Sequence, residues 1–399
     1  PSLQQTLNQL SQEFLVLLSP VEGTSTSEGI RMEVLAAMRD NDVLMVYLTL
    51  QDIQKQNRLD GQLELVDFSA ESKKDGNQQC LFSHGEVLWY DSASQKATLR
   101  LVGQAFGGLD DQKISLNIHS FLSGKNELPL INCGVTLAEI AQQAPSAQWV
   151  ALSEVDGYSS SGEDMERLSQ QVENGTMPLL QSGGFVPSVF QQFSWMNVEG
   201  VAITTGNTLH GKISYDDQMG RFNRLALYLS DTQGNVLDTS QISLELESYE
   251  TDNHHRYTKT QEQVLVLPSE LPLEEISLSA QVTTYEHHIE GNWQTNFSVE
   301  DASLQTTTTP TNVKLGGWNV ETITISPVGI TLQGHGDSSQ DFHGPQVDIL
   351  LKNGSYVQSN SSSCSVQDNE FFCKNLFALP IEMEEIDKIL VNGTEVPVL

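Results

Sequence analysis

The apolar residues of this chain change their period near its start. Leu3, Leu7, Leu10, Phe14 and Leu17 stand three and four residues apart, the spacing of an amphipathic helix over residues 3–18 laid as a lid on the first core. From residue 29 the spacing falls to two. In GIRMEVLAAMRDNDVLMVYLTLQD, Ile30, Met32, Val34 and Ala36 share one face, Asp40-Asn41 supplies a turn, and Leu44, Val46, Leu48 and Leu50 resume the alternation. This predicts strand, tight turn and strand. The same run of an apolar strand into a polar segment returns over residues 210–237 and 329–357, with LYLSDTQGN and ILLKNGS in the place of LTLQD. The recurrence predicts three β-sandwich units of related layout. At 289–301, IEGNWQTNFSVED turns Trp293, Thr295, Phe297 and Val299 one way and Asn292, Gln294, Asn296 and Ser298 the other. One face of that strand is buried and one is wet.

Between these units the pattern is partly helical. Thr136-Leu-Ala-Glu139 has the form of a capping box, opening a short helix that Pro145 closes. DGYSSSGED at 156–164 reads as a polar loop, and a second helix through Met165, Leu168 and Val172 ends at Asn174-Gly175. ASLQTTTTPTN at 302–312 reads either as a linker interrupted by Pro310 or as a threonine-rich strand. The expected class is mainly β, with tandem immunoglobulin-like sandwiches, an N-terminal helix and a partly helical connector. Residues 1–135 hold the helix and first sandwich, 136–190 the connector, 191–305 the second sandwich, and 306–399 a third or an extension of the second.

Composition narrows the partners. The chain has 399 residues, with 52 acidic against 20 basic side chains and a formal net charge of −32. Such a surface repels phosphate backbones and anionic lipid heads within a Debye length, so no nucleic-acid partner is expected. No apolar run approaches the roughly 18 residues of a membrane helix, and the first residue is Pro1 rather than Met. The chain is therefore read as a processed or truncated piece whose membrane attachment precedes it.

The cysteines point to a compartment. Cys364 and Cys373 enclose SVQDNEFF, with Asp368-Asn369 as a two-residue turn. In that register they face each other at a spacing that suits a disulfide. Closing so short a loop contributes about 2–3 kcal/mol in the chain-entropy model. Cys80 and Cys133 are the remaining candidates for a pair, and nothing local fixes their geometry.

Catalytic motifs are not found: no phosphate loop, no GxGxxG after a strand, no HExxH. GYSSSG at 157–162 lacks the register of a nucleophile elbow. His254-His255 and His287-His288 would each split across the two faces of a strand, so a metal would need one member of each with Glu286 or Glu290. Surface histidines are the simpler reading. Asp216, Asp217 and Asp231 lie near turns without calcium-loop spacing. Of five Asn-X-Ser/Thr tripeptides, Asn353-Gly354 and Asn392-Gly393 fit turns without any glycan, and nothing requires one at Asn174, Asn296 or Asn360. No cofactor is expected.

VEGVAITTGNTLHGKISYDD, LYLSDTQGNVLD and IEGNWQTNFSVED, preceded by SEGIRMEVLAAMRDNDVLMVYLTLQD and followed by ITISPVGITLQG, span about residues 20–335. In this order they resemble the extracytoplasmic region, a domain of unassigned function, of bacterial anti-sigma-factor-like single-pass membrane proteins. The resemblance implies a β-rich part facing outward, one membrane helix before it, and a cytoplasmic segment that holds a sigma factor; it carries over no catalytic residue. The expected function is a non-enzymatic sensory or interaction domain at the extracellular face of the bacterial membrane, signalling through the helix at residues 3–18. The rival is a secreted or surface-attached adhesin or glycan-binding protein, which exposed tryptophans and a concave sheet would favour.

Overall fold

The computed structural model describes residues 18–40, 43–74, 77–81, 84–104, 113–152, 154–215, 222–250, 256–302, 304–337, 342, 344–357, 359–367, 369–377 and 380–396. The helix expected over residues 3–18 lies, save Leu18, outside them. The chain is mainly β and divides into two compact units, Pro1–Ser123 with His288–Leu399, and Gly124–His287. Among the described residues no helix is long and apolar enough to cross a membrane.

The first unit opens with β1 (Ser19–Ser27), β2 (Ile30–Asp40), β3 (Val43–Asp52), β4 (Glu64–Lys74), β5 (Asn77–Leu81), β6 (His84–Asp91), β7 (Lys96–Gln104) and β8 (Lys113–Glu127). One sheet runs β1-β2-β3-β7-β6, while β4 leaves it to pair with β8 and β5. Alternation sends Ile30, Met32, Leu48 and Leu50 inward against Ala70, Leu116, Ile118 and Phe121.

The second unit holds β9 (Ile131–Thr136), α1 (Leu137–Gln143), β10 (Gln148–Ala151), β11 (Gly157–Ser161), α2 (Met165–Glu173) and β12 (Pro178–Ser182). After these come β13 (Met196–Ile203), β14 (Thr208–Tyr215), β15 (Arg224–Ser230), β16 (Gln241–Glu250), β17 (Arg256–Val266) and β18 (Ser277–Ser298), the last of which ends in the first unit. The expected capping box is present: the Thr136 hydroxyl accepts Glu139 N–H at 3.2 Å while Glu139 accepts Thr136 N–H at 2.8 Å. GYSSSG is not a loop: residues 157–161 form an edge strand on β16, and Tyr158 Oη donates to Glu173 at 2.9 Å. A polar strand with no alternation is invisible to a hydrophobicity pattern.

The first unit then resumes with β19 (Thr307–Leu315), β20 (Trp318–Ser326), β21 (Gly329–Gly336), β22 (Val347–Leu351), β23 (Ser359–Gln367), β24 (Glu370–Phe377), β25 (Ile386–Val391) and β26 (Thr394–Val396). The threonine-rich segment is thus a strand, with Pro310 on the sheet edge where its missing donor costs no ladder bond.

One six-strand topology occurs three times. In each copy two strands form a hairpin, a third leaves for the facing sheet, a fourth and fifth form a second hairpin that joins the first, and a sixth returns to pair with the third. The copies are β2-β3-β7-β6 with β4-β8, β13-β14-β17-β16 with β15-β18, and β20-β21-β24-β23 with β22-β25. Residues 210–237 and 329–357 are the same step in this order, second strand to third. Residues 29–52 are a different step, first strand to second. What LTLQD shares with the other two is turn chemistry. Asp52 Oδ1 accepts from Gln54 N–H, Asp231 Oδ1 from Gln233 N–H, and Asn353 Oδ1 from Ser355 N–H, at 3.1, 2.8 and 2.8 Å.

Residues 288–299, expected in the second sandwich, complete the first core instead. Trp293, Thr295, Phe297 and Val299 are buried and the residues between them exposed. Trp293 Nε1 donates to Ile30 O at 2.8 Å, and its ring centroid lies 5.3 Å from that of Phe121. The amides of Asn292 and Gln294 donate to the Ser27 and Ser25 hydroxyls at 3.0 and 3.2 Å. The alternating small hydroxyls of β1 therefore stand in for a backbone ladder.

Asp52 anchors the segment after β3. Its side chain is 0% exposed and accepts from the amides of Gln54, Gln56 and Arg58 and from Arg58 Nε and Nη2. Burial opposes the charge, but the Arg58 side chain and these amides outweigh it and hold the carboxyl below its ordinary range. A depressed carboxyl contributes stability that is complete above the unfolded value of about 4 and is lost as pH falls through the lower folded value. Asp52→Asn should therefore cost about 3 kcal/mol at pH 7. The gap to wild type, read from urea midpoints, should close toward pH 2; an unchanged gap would contradict this account.

Candidate functional site

The outer face of the third copy's larger sheet is built by simple alternation. Ile323, Leu332, Phe371 and Cys373 point into the core, so their neighbours point away. Register places Thr322, Gln333, Phe372 and Ser365 in one row across four strands, and His335, Glu370 and Gln367 in the next. A bulge between Val320 and Thr322 re-aims Glu321 beside the second row. His335 Nδ1 lies 2.9 Å from Glu321 Oε1, and Thr322 Oγ1 donates to Gln333 Oε1 at 3.3 Å. Together these side chains line an open cleft of about 740 Å³. Toward Leu376 the same face is covered, because Leu376 and Val328 are buried with Met38, Val43, Met45 and Tyr47.

The hairpin β23–β24 carries the disulfide. Cys364 and Cys373 are directly opposed and bonded, with Cα atoms 4.1 Å apart, and Asn369 takes the positive φ (+68°) of the turn. The bond ties the cleft's edge strand to its neighbour. Cys133 enters no second pair: it is a free, buried thiol inside an apolar cluster with Val135, Leu137 and Ile140, and the side chain of Cys80 lies outside those described. Burial pushes its pKa up to about 12. Native protein at pH 8 should leave Cys133 unalkylated by iodoacetamide, and urea-unfolded protein should react fully. Rapid labelling of the native protein, read by mass spectrometry, would contradict its burial.

A second polar cluster matches no motif in the sequence. His210 and Glu262 are both 0% exposed, with Nδ1 and Oε1 2.7 Å apart. Thr208 Oγ1 lies 3.0 Å from His210 Nε2 and 2.7 Å from Thr204 Oγ1. Both Glu262 oxygens accept Leu180 N–H at 3.0 and 3.1 Å, and Trp149 meets the His210 ring edge-on at 5.0 Å. The connectivity resembles a hydroxyl–imidazole–carboxylate relay, but the imidazole has no surface on which to meet a substrate. The cluster is a polar peg that pins the β10–β12 ribbon to the sheet beneath. The available signal was the strand TLHGKIS, whose alternation puts His210 on a face shared with Thr208 and Lys212.

Among the other sequence candidates, His254, His255, Asp216 and Asp217 lie outside the described residues. His288 Nε2 is 3.8 Å from Glu290 Oε1. Asp231 spends its oxygens on Gln233 and Asn235, partners that donate hydrogen and leave little for a cation. Among the described residues no group of three or more His, Cys, Asp or Glu is placed to hold a metal. Asn392 and Gly393 share a turn at φ +46° and +75°, and Gly354 stands at +86°. Trp195, Trp293 and Trp318 are core, while Trp89 is 49% exposed on β6.

No protein-family model and no curated protein matches the chain. A solved structure described as the crystal structure of the conserved domain protein from Bacillus anthracis aligns with 86% of this chain and 84% of its own, at 11% identity and a TM-score of 0.20.

Proposed function

We propose that this chain is the extracytoplasmic, non-enzymatic interaction region of an anti-sigma-factor-like single-pass membrane protein. The observation that carries the reading is the open polar cleft of the third copy, bordered by a disulfide-tied hairpin. Disulfides persist in oxidising compartments and are rare where thiols are kept reduced. The strand order supports immunoglobulin-like sandwiches. First, second, fifth and fourth strands share one sheet, and in the third copy β22-β25-β26 form the other, the arrangement of constant-type domains. Many cell-surface proteins use such sandwiches as scaffolds for recognition. Occupancy of the cleft outside would pass through a preceding membrane span to a sigma factor held inside.

A secreted or surface-attached adhesin is the second reading, favoured by exposed Trp89 and by the cleft itself. Both readings place the hairpin outside the cytoplasm. Acid-quenching native cells, alkylating free thiols and mapping peptides without reductant should recover Cys364 and Cys373 joined. Recovery of both as alkylated thiols would remove the compartment argument.

A further inference from the structure

We infer that the cleft over β20, β21, β24 and β23 binds an uncharged oligosaccharide, which rests on the outward-facing reading above. The floor is the interior of a sheet: β21 pairs with β20 and β24, and β24 pairs with β21 and β23. The main-chain groups of β21 and β24 are committed to the ladder on both sides, so an extended peptide lying on this floor finds no backbone edge to join; the sheet's open edge, on β23, bounds the cleft and is not its floor. Recognition falls to side chains alone.

Those side chains fit a polyol. Gln333 and Gln367 each offer an amide that both donates and accepts, the Ser365 hydroxyl does the same, and Thr322, whose O–H is given to Gln333, still accepts. Half-buried Phe372 stands between Gln333 and Ser365 in the cross-strand row. A pyranose ring has the complementary anatomy, an apolar C–H face to lie on an aromatic ring and a rim of hydroxyls that give and take hydrogen bonds.

Charge decides which sugars. Two carboxylates, Glu321 and Glu370, line the cleft, with no lysine or arginine among its described lining residues, in a chain of net charge −32. Sulfated, phosphorylated or uronic-acid polymers are repelled. A cationic peptide is the weaker alternative, because Glu321 is already engaged by His335 and exposed ion pairs bind weakly.

The test is an array of neutral, sulfated and sialylated oligosaccharides, followed by calorimetric titration of the strongest neutral hit. Binding should be confined to neutral glycans. Gln333→Ala and Gln367→Ala, which alter exposed side chains, should each weaken the hit about tenfold while leaving Tm unchanged, and Phe372→Ala should weaken it at least as much. An array silent for neutral glycans, hits confined to acidic ones, or affinity indifferent to the two glutamine variants overturns the inference. So does hexalysine binding that Glu370→Gln abolishes. A protein proved to face outward yet silent on the array loses this inference alone; one found in the cytoplasm loses the outward reading whatever sugar it binds.

Discussion

Trp293→Ala should destabilise the first core by about 3–5 kcal/mol. The indole is 0% exposed and stacks in a tilted contact on Phe121. Around it the backbone has been cut to fit: a Cβ on Gly291 would come within 2.5 Å of the indole ring, so that glycine is required by close approach. Truncation leaves a cavity and strips the Ile30 carbonyl of its 2.8 Å donor. Trp293→Phe keeps most of the volume and loses the hydrogen bond, and should cost about 1–2 kcal/mol. Urea unfolding followed by near-ultraviolet circular dichroism separates the two. A Trp293→Ala variant within 1 kcal/mol of wild type, against the roughly 3 expected, would mean the strand does not close this core.

Glu262→Ala should cost the second unit about 3–5 kcal/mol as well, by a different mechanism. The carboxylate is acceptor for both His210 and the Leu180 amide. Removing it leaves those groups buried without a partner, and an unmade buried hydrogen bond is expensive. Glu262→Gln keeps one oxygen and should lose less. The sharper readout is local. Leu180 N–H takes its acceptor from a side chain, so hydrogen exchange at Leu180 should accelerate in Glu262→Ala far more than at Leu227 N–H, which is bonded to Gln263. Equal protection at Leu180 in wild type and variant would show that the ribbon is held by Trp149, Leu180 and their apolar neighbours without the peg.

These two sites show what a period can and cannot carry. Alternation in 289–301 assigns every side chain from Asn292 to Val299 to its observed face, because a strand's period is set by local geometry. It says nothing about which core receives them. The partners, Ser25, Ser27 and Ile30, lie more than 260 residues away in sequence, whereas position along the chain points to the nearer sandwich. The capping box at Thr136 and the Asn174-Gly175 stop were legible for the same local reason. The short strands β10, β11 and β12 were not, having few residues and little apolar contrast. His210 followed them into obscurity, since only the ribbon above it turns a polar face into a buried one.

The cleft is a similar case. Gln333 and His335 read as the wet side of a strand, which they are. Their adjacency to Glu370, Phe372 and Gln367 comes from cross-strand register, which no linear pattern contains. The disulfide was readable because its hairpin closes locally, with nine residues of separation. Cys133 was not, because burial and not spacing sets its fate.

The outward-facing assignment is tested most directly by adding a membrane-impermeant protease to intact cells that produce the native protein. Cleavage within the sandwiches before lysis, with a cytoplasmic marker left whole, is the predicted result. Protection until the cells are lysed would contradict it.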